Sequence, residues 1–578
     1  MTWLFVVFFP LILAAVVPVL KKRNFSGALA GALGPLPALV LVLSGAEPGT
    51  YHLESFLLGL HLGFEEYGRL FLLLTALVWT CAGIYGVWYR SADYNPNNFT
   101  IFFLTCMCGN LGLAIAQDAV SFYAFFALMT FSGYLLVVHH STPKAWKAGK
   151  IYLIMAVLGE GTVVAGMMIG VHTAQSTVFS EIAPVTATLS WHHPLFWFLL
   201  IGFGIKAGVL GLHFWLPLAH PAAPVPASAV LSGAMIKAGL LGLMHFFPLG
   251  LVSFSFWGSV FIGLGLGGAF FGVLAGLLEK EPKTILAYSS ISQIGLMLFL
   301  CGIGIIEAQL WIIGLPVLFL FIIHHGLAKA VLFLGVDAAG YVKKSRGSFY
   351  LLLAGLVLPA ITLAGAPFTS GSWIKYLLKD MVELSPGALW INILLSLSSL
   401  GTAMLMAHFL SRMHMKIADK SLYRPGLLFF WLGMAAAGVS LPLILGLFYL
   451  DVPAIAWIEP LIIWSSLWPV VFGAFVYFFF ILKKPLLGRQ AAENWPDTVT
   501  QMEKAWQKFY PRWEKSNLCD PSCGQINFVY LADRLIFGPA GLKVTCMIET
   551  LFRQWFVAGL VFVILILLFI LMGSLRLS

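Results

Sequence analysis

Charge is scarce in this sequence: only 10% of the 578 residues are charged, while 60% are hydrophobic. No soluble core needs that much apolar material, so a water-soluble globular class is excluded. Nucleotide and redox signatures are missing as well. There is no Walker-type phosphate loop, no G-x-G-x-x-G run after a strand, and no cysteine cluster with iron–sulfur spacing. The chain therefore has no means of redox or ATP chemistry and no cofactor of its own, and any driving force must come from an ion gradient or a partner. Cysteine is sparse, with seven in all (Cys81, Cys106, Cys108, Cys301, Cys519, Cys523 and Cys546), mostly single in apolar runs, where they pack as small hydrophobes. Only Cys519 and Cys523 come as a pair. Their C-x-x-x-C spacing is not that of a redox pair, and no histidine cluster completes a metal site. The N-terminus lacks a basic leader and a small-residue cleavage site, so the apolar run from Trp3 reads as a retained first span rather than a signal peptide.

Long hydrophobic runs are what the sequence does have. They predict an all-α polytopic membrane protein with about sixteen spans: 3–20, 26–44, 68–88, 99–116, 119–138, 150–171, 195–212, 224–246, 253–278, 284–303, 310–335, 350–373, 388–410, 428–450, 460–482 and 555–574. The net charge of +9 does not point to nucleic acid, because the basic residues are dispersed between the spans. Lys21–Arg23, Arg90, Lys144/Lys147/Lys150, Lys280/Lys283, Lys343/Lys344/Arg346, Arg412/Lys416/Lys420 and Lys483/Lys484 all fall on one side if every run crosses. The opposite loops 172–194, 247–252 and 304–309 have no Lys or Arg. The positive-inside rule then puts the N-terminus outside and the basic loops in the cytoplasm of a cell inner (cytoplasmic) membrane. Residues 483–554 interrupt the pattern. The stretch Thr498–Lys515 mixes Trp506, Phe509, Tyr510 and Trp513 with basic residues, which suits a helix lying along the membrane surface, kinked or divided at Pro511.

Charges inside the spans are the candidate functional residues. A lysine in mid-span costs about 3 kcal/mol on insertion scales, so it is rarely there for packing. Lys206 and Lys237 occupy consecutive spans, separated by a segment with His213, His220 and Pro217. Glu160 sits about ten residues into its span, a depth at which it meets Lys206 at mid-membrane, and a carboxylate there needs a partner or a proton. The competing reading of Glu160 is a protonated carboxyl bonded to a backbone carbonyl. His325 and Lys329 are four apart and share a helical face, where they could pass protons through water. For His324 the alternative is a packed ring bonded to a backbone carbonyl. Gly365, Pro367 and Gly371 are poor helix formers set close together and predict a broken span, with Lys375 just beyond it. Pro217 marks a counterpart break. Asp118 opens the fifth span at its outer mouth.

The runs Glu279-Lys-Glu-Pro-Lys-Thr-Ile-Leu-Ala-Tyr-Ser-Ser-Ile-Ser-Gln-Ile-Gly295, His325-Gly-Leu-Ala-Lys-Ala-Val-Leu-Phe-Leu-Gly335 and Ala364–Lys375 resemble the antiporter-like subunits shared by respiratory complex I, membrane-bound hydrogenases and Mrp cation/proton antiporters. The resemblance is strong over 99–410. It implies a fourteen-helix core with two inverted five-helix repeats and broken seventh and twelfth helices. N-terminal peripheral spans then occupy 1–98, the repeats 99–246 and 253–410, and C-terminal spans 428–482. A lateral segment at 483–554 and a last span at 555–578 complete the chain. Lys206 corresponds to the family's central pumping lysine and Lys237 to its bridging lysine. His325 and Lys329 match the eleventh-helix connection, and Lys375 the exit residue. The resemblance also implies partners: further antiporter-like chains and other membrane subunits of an oxidoreductase assembly of the complex I or hydrogenase type. One position departs from the pattern. Where the family carries a fifth-helix glutamate this chain has Ala127, and Glu160 is the candidate replacement from the next helix. The expected function is proton translocation through buried Lys, His, Glu and water. The alternatives are Na⁺ or K⁺ exchange for protons, and a non-pumping scaffold.

Overall fold

The computed structural model describes residues 2–20, 28–46, 49–53, 59–64, 66–89, 96–341, 346–383, 388–416, 425–449 and 459–481. The lateral segment, Cys519, Cys523 and the expected span 555–574 lie outside these residues. Among the described residues, twelve helices are long and apolar enough to cross a membrane, and the segments Ala28–Leu43 and Pro194–Ala207 are shorter apolar helices. The expected span 99–116 is the helix Pro96–Leu113, which carries Asn97, Asn98 and Asn110.

The N-terminal part contains α1 (Thr2–Leu20), then α2 (Ala28–Leu33) and α3 (Leu36–Leu43), which share one expected span interrupted at Pro35. A small antiparallel hairpin follows, with β1 (Tyr51–Leu53) paired to β2 (Leu60–Leu62) so that His52 stands opposite His61. After it come α4 (Glu66–Trp88), α5 (Pro96–Leu113) and α6 (Ala119–Val137). Asp118 caps α6: its carboxylate accepts from Val120 N at 2.9 Å and Ser121 N at 3.0 Å, satisfying two of the helix's free donors. It also accepts from His61 N at 3.2 Å, which ties the hairpin to the helix. Helix α7 (Pro143–Ala174) starts with Thr142 as N-cap and proline at its first position, and its 32 residues span about 48 Å.

Helix α8 (Phe179–Thr186) is short, and α9 (Pro194–Ala207) stops well before it could span a bilayer. Next come α10 (Leu216–Ala222), α11 (Val225–Val230), a π-turn at Leu231–Met235 and α12 (Lys237–Phe246). Two long helices, α13 (Ser255–Leu278) and α14 (Pro282–Ile306), pack backbone to backbone. Gly258, Gly265 and Gly272 recur every seven residues along α13, and a Cβ on Gly265 would stand 2.6 Å from Gly295 O of α14. Small residues of this kind let membrane helices approach closely. The remaining elements are α15 (Trp311–Ala338), α16 (Arg346–Ala364), α17 (Ser370–Glu383), α18 (Ala388–Lys416), α19 (Pro425–Tyr449) and α20 (Pro460–Val476).

Burial sorts these helices into a centre and a rim. Stretches of 18 residues within 225–246, 282–306 and 308–341 are 94%, 94% and 100% buried, against 33% within 2–19 and 17% within 460–481. The rim instead exposes large apolar side chains such as Phe5, Phe448 and Leu461, the surface a hydrocarbon environment requires. The mid-span lysines belong to the enclosed helices or to helices that abut them.

Candidate functional site

The first site is built by the end of α9. Gly208 follows its last residue with φ +77°, a conformation only glycine adopts cheaply. Gly208 N donates to Ile205 O at 3.2 Å and Val209 N to Gly204 O at 2.9 Å, so a glycine-closed Schellman turn terminates the helix. The Ile205 carbonyl receives a second donor, Trp215 Nε1, at 2.7 Å. This break begins at Gly208 and not at Pro217. Pro217 lies in the first turn of α10, where the missing N–H is no loss, so reading it as the breaker is corrected.

Lys206 sits two residues before this turn and is only 6% exposed. Its Nζ donates to Thr130 Oγ1 of α6 at 3.0 Å, and the Thr130 hydroxyl donates on to Phe126 O at 2.8 Å. The ammonium also lies 5.5 Å from the centroid of the Phe126 ring. Glu160, buried in α7, enters the same pocket, which is lined among others by Thr130, Tyr152, Glu160, Lys206 and Trp215 and has room for a water-sized group. Neither carboxyl oxygen of Glu160 makes a hydrogen bond within the described residues. The polar groups it faces are the Lys206 ammonium, as a charge, and the Thr130 and Tyr123 hydroxyls, as neighbours of hydrogen-bonding type. Ala127 stands on α6 just under one turn before Thr130, so the wall facing Lys206 offers a hydroxyl and no carboxylate.

The second site repeats the backbone device at the end of α16. Gly365 has φ +87°, Gly365 N donates to Thr362 O at 3.1 Å, and Ala366 N donates to Ile361 O at 3.0 Å. Here the lysine is used differently, because Lys375 Nζ reaches back from α17 to donate to Ala364 O at 2.6 Å. Pro367 lies in the connecting loop, and Phe368 holds a left-handed φ of 61° beside it. Gly371 is not part of the break. It lies in the first turn of α17, where a Cβ would come within 1.9 Å of Thr362 O, so its lack of a side chain serves close packing of α17 on α16. The first residue of α17, Ser370, meets His324 Nδ1 of α15 at 2.9 Å, a hydroxyl in place of the expected carbonyl.

Further buried amines and imidazoles lie on α10, α12 and α15. Lys237 Nζ donates to Ser232 O at the π-turn, and Lys329 Nζ donates to Leu286 O at 2.8 Å. His325 faces Lys237 and Lys329, and both its ring nitrogens are without hydrogen bonds among the described residues. His220 is in the same position: its ring stacks on Phe333 with centroids 4.5 Å apart, and Lys283, Lys329 and Lys237 act on it. His213 lies in the first break, with Nδ1 accepting from Gly211 N at 3.2 Å. Lys283, read from sequence as a loop cation, instead lies buried in the first turn of α14 and donates to Ala223 O at 2.7 Å. Thr130, Tyr123 and Lys283 are the residues that sequence reasoning passed over. Only Lys283 had a local signal, the proline before it that starts a helix.

Residues 116–402 match the family described as NADH:quinone oxidoreductase/Mrp antiporter, transmembrane. The chain is 28% identical over 246 residues to hydrogenase-4 component B of Escherichia coli K12, covering 41% of this chain and 37% of that one. It is 27% identical over 413 residues to Na(+)/H(+) antiporter subunit A1 of Staphylococcus haemolyticus, covering 66% of this chain and 51% of that one. It thus spans about half or less of the length of these curated relatives. Among solved structures it superposes on a chain of the Mrp complex from Dietzia sp. DQ12-45-1b with a TM-score of 0.71 at 20% identity, covering 94% of this chain and 63% of that one. That likeness establishes the fold.

Proposed function

For a chain that belongs, through residues 116–402, to the NADH:quinone oxidoreductase/Mrp antiporter membrane family, we propose proton translocation as one subunit of a larger membrane assembly. One observation carries this reading: Lys206 and Glu160, both buried, share a water-sized pocket at a helix break. The ammonium has three donors, of which Thr130 takes one. The carboxyl group faces this ammonium and the Thr130 and Tyr123 hydroxyls with no close hydrogen bond among the described residues. Polar groups this deep are costly unless water or a counter-charge satisfies them. A proton arriving at Glu160 removes the negative charge that steadies the Lys206 ammonium, and Lys206 then releases its own proton toward the centre of the molecule. Glu160 on α7 thereby does the work that a carboxylate at position 127 would do from α6.

From Lys206 the path runs to Lys237, on to Lys329 with His325 facing both amines, and to Lys375 at the second break. The two breaks are equivalent positions of two inverted repeats, and the basic loops face the cytoplasm. The likeness to a Na(+)/H(+) antiporter subunit supports a second reading, in which Na⁺ or K⁺ is exchanged for protons. The scaffold reading rests on Ala127 alone, and the four retained lysines together with Glu160 count against it.

The test uses membrane vesicles that carry the full-length chain in its native complex, with a pH-sensitive dye and an imposed K⁺/valinomycin potential. Lys206→Ala is expected to remove proton movement while assembly persists. Unchanged movement would overturn the proposal. Dependence of the wild-type signal on Na⁺ or K⁺ would select the exchange reading.

A further inference from the structure

Ser232 and Ser290 are fully buried, and their hydroxyls meet at 2.8 Å in an arrangement where either can be the donor. Ser232 lies in the π-turn before α12 and Ser290 in the middle of α14. Each has a buried lysine close by, reached through a backbone carbonyl. The backbone carbonyl of Ser232 accepts from Lys237 Nζ. Ser290 Oγ bonds Leu286 O at 3.1 Å, and the same oxygen accepts from Lys329 Nζ at 2.8 Å. The hydroxyl pair is thus one carbonyl removed from the amine of α12 on one side and from that of α15 on the other. A π-turn widens the backbone and is often kept where a side chain must be aimed, and this one places both Ser232 and Lys237.

Packing does not account for the pair. Alanine would fill either position, and an apolar pair would avoid burying two hydroxyls. Hydroxyls do something that alanine cannot: each both donates and accepts, and each reverses by rotation about its C–O bond. Resting on the translocation reading above, we propose that Ser232 and Ser290 are the proton link between Lys237 and Lys329. The Lys237 ammonium passes a proton to Ser232 Oγ, directly or through one water. The proton already on Ser232 moves to Ser290 Oγ, and the one on Ser290 moves to the neutral Lys329 amine. One proton leaves Lys237, one arrives at Lys329, and both serines remain neutral hydroxyls. Rotation of the two O–H bonds resets the pair for the next passage or for flow in the opposite direction.

The experiment measures proton flux under an imposed potential in native membrane vesicles carrying Ser232→Ala, Ser290→Ala or both, with Lys206→Ala as a control. In a two-member link either single loss interrupts the path. Each single variant is expected to cut flux about tenfold or more, with the double variant no worse, while the thermal unfolding of the complex barely moves. Flux in the double variant within about twofold of wild type would overturn the link, as would single effects that multiply in the double. If Lys206→Ala is inactive while the serine variants conduct normally, only the serine link fails. If Lys206→Ala also conducts normally, the translocation reading itself fails.

Discussion

The two helix breaks use one backbone device for two different ends. Gly208 and Gly365 both close a helix in the left-handed region, and in both the following N–H reaches back to the same relative carbonyl. They differ in what satisfies the remaining carbonyl oxygens. At the first break the neutral indole of Trp215 bonds Ile205 O, which leaves Lys206 to face Thr130 and the pocket with Glu160. At the second, Lys375 itself bonds Ala364 O and helps to hold the break together. A lysine near a broken membrane helix is therefore not one kind of residue. Its partner decides whether the amine faces an open pocket or also caps the break, and in the proposed path Lys375 serves from that capping position.

The largest expected contrast comes from removing each lysine. Lys206→Ala should abolish proton movement and leave thermal stability nearly unchanged. Lys375→Ala should lower both, because an unsatisfied buried carbonyl costs about 1–3 kcal/mol. Paired flux and unfolding measurements on the two variants would break the comparison if both profiles were the same.

Next in size is the carboxylate. Glu160→Gln keeps the shape and loses the charge, and it should reduce flux by about tenfold or more. Adding Ala127→Glu to that variant puts a carboxylate back on the α6 wall and should recover flux in the same vesicle assay. A Glu160→Gln variant that conducts like wild type would remove Glu160 from the site. Failure of the second substitution to rescue would show that the α6 wall cannot substitute for α7.

Smaller effects come from the turns. Gly208→Ala should cost about 1–2 kcal/mol for the left-handed φ alone, since its Cβ would meet only Leu216 Cδ2 at 3.4 Å. Gly365→Ala should cost more, because its Cβ would press on Lys375 Cδ at 2.8 Å and dislodge the cap. Chemical or thermal unfolding of the two variants side by side gives the order. Smallest of all, Trp215→Phe keeps a ring against Tyr152 but withdraws the donor from Ile205 O, for about 1 kcal/mol and near-normal flux. A collapse of flux in this variant would mean that the indole belongs to the proton path.

Several of these features are legible in the amino-acid sequence. Apolar runs of span length locate most of the long described helices, because a bilayer demands length and hydrophobicity from each segment separately, although the run 350–373 crosses the break from α16 into α17. Lysines inside such runs stand out for the same reason. Proline misleads at position 217, since a residue that breaks a helix interior is welcome in a first turn, and composition does not say which turn it occupies. Gly371 misleads in the same way, because a glycine needed for close approach looks like a glycine needed for a bend. Lys283 reads as a loop residue because its cluster with Lys280 suggests a cytoplasmic connection, yet the chain folds it inward onto Ala223 O.

The sequence by itself determined that this is a many-spanned membrane chain with ionisable residues at membrane depth, since those properties are sums over short stretches. Which of those residues meet was decided only by tertiary packing. Thr130 and Lys206 are 76 positions apart, and Leu286 and Lys329 are 43 apart. No periodicity encodes such contacts. They arise where helices cross, at heights and rotations set by glycine stripes, caps and turns far from the pair itself.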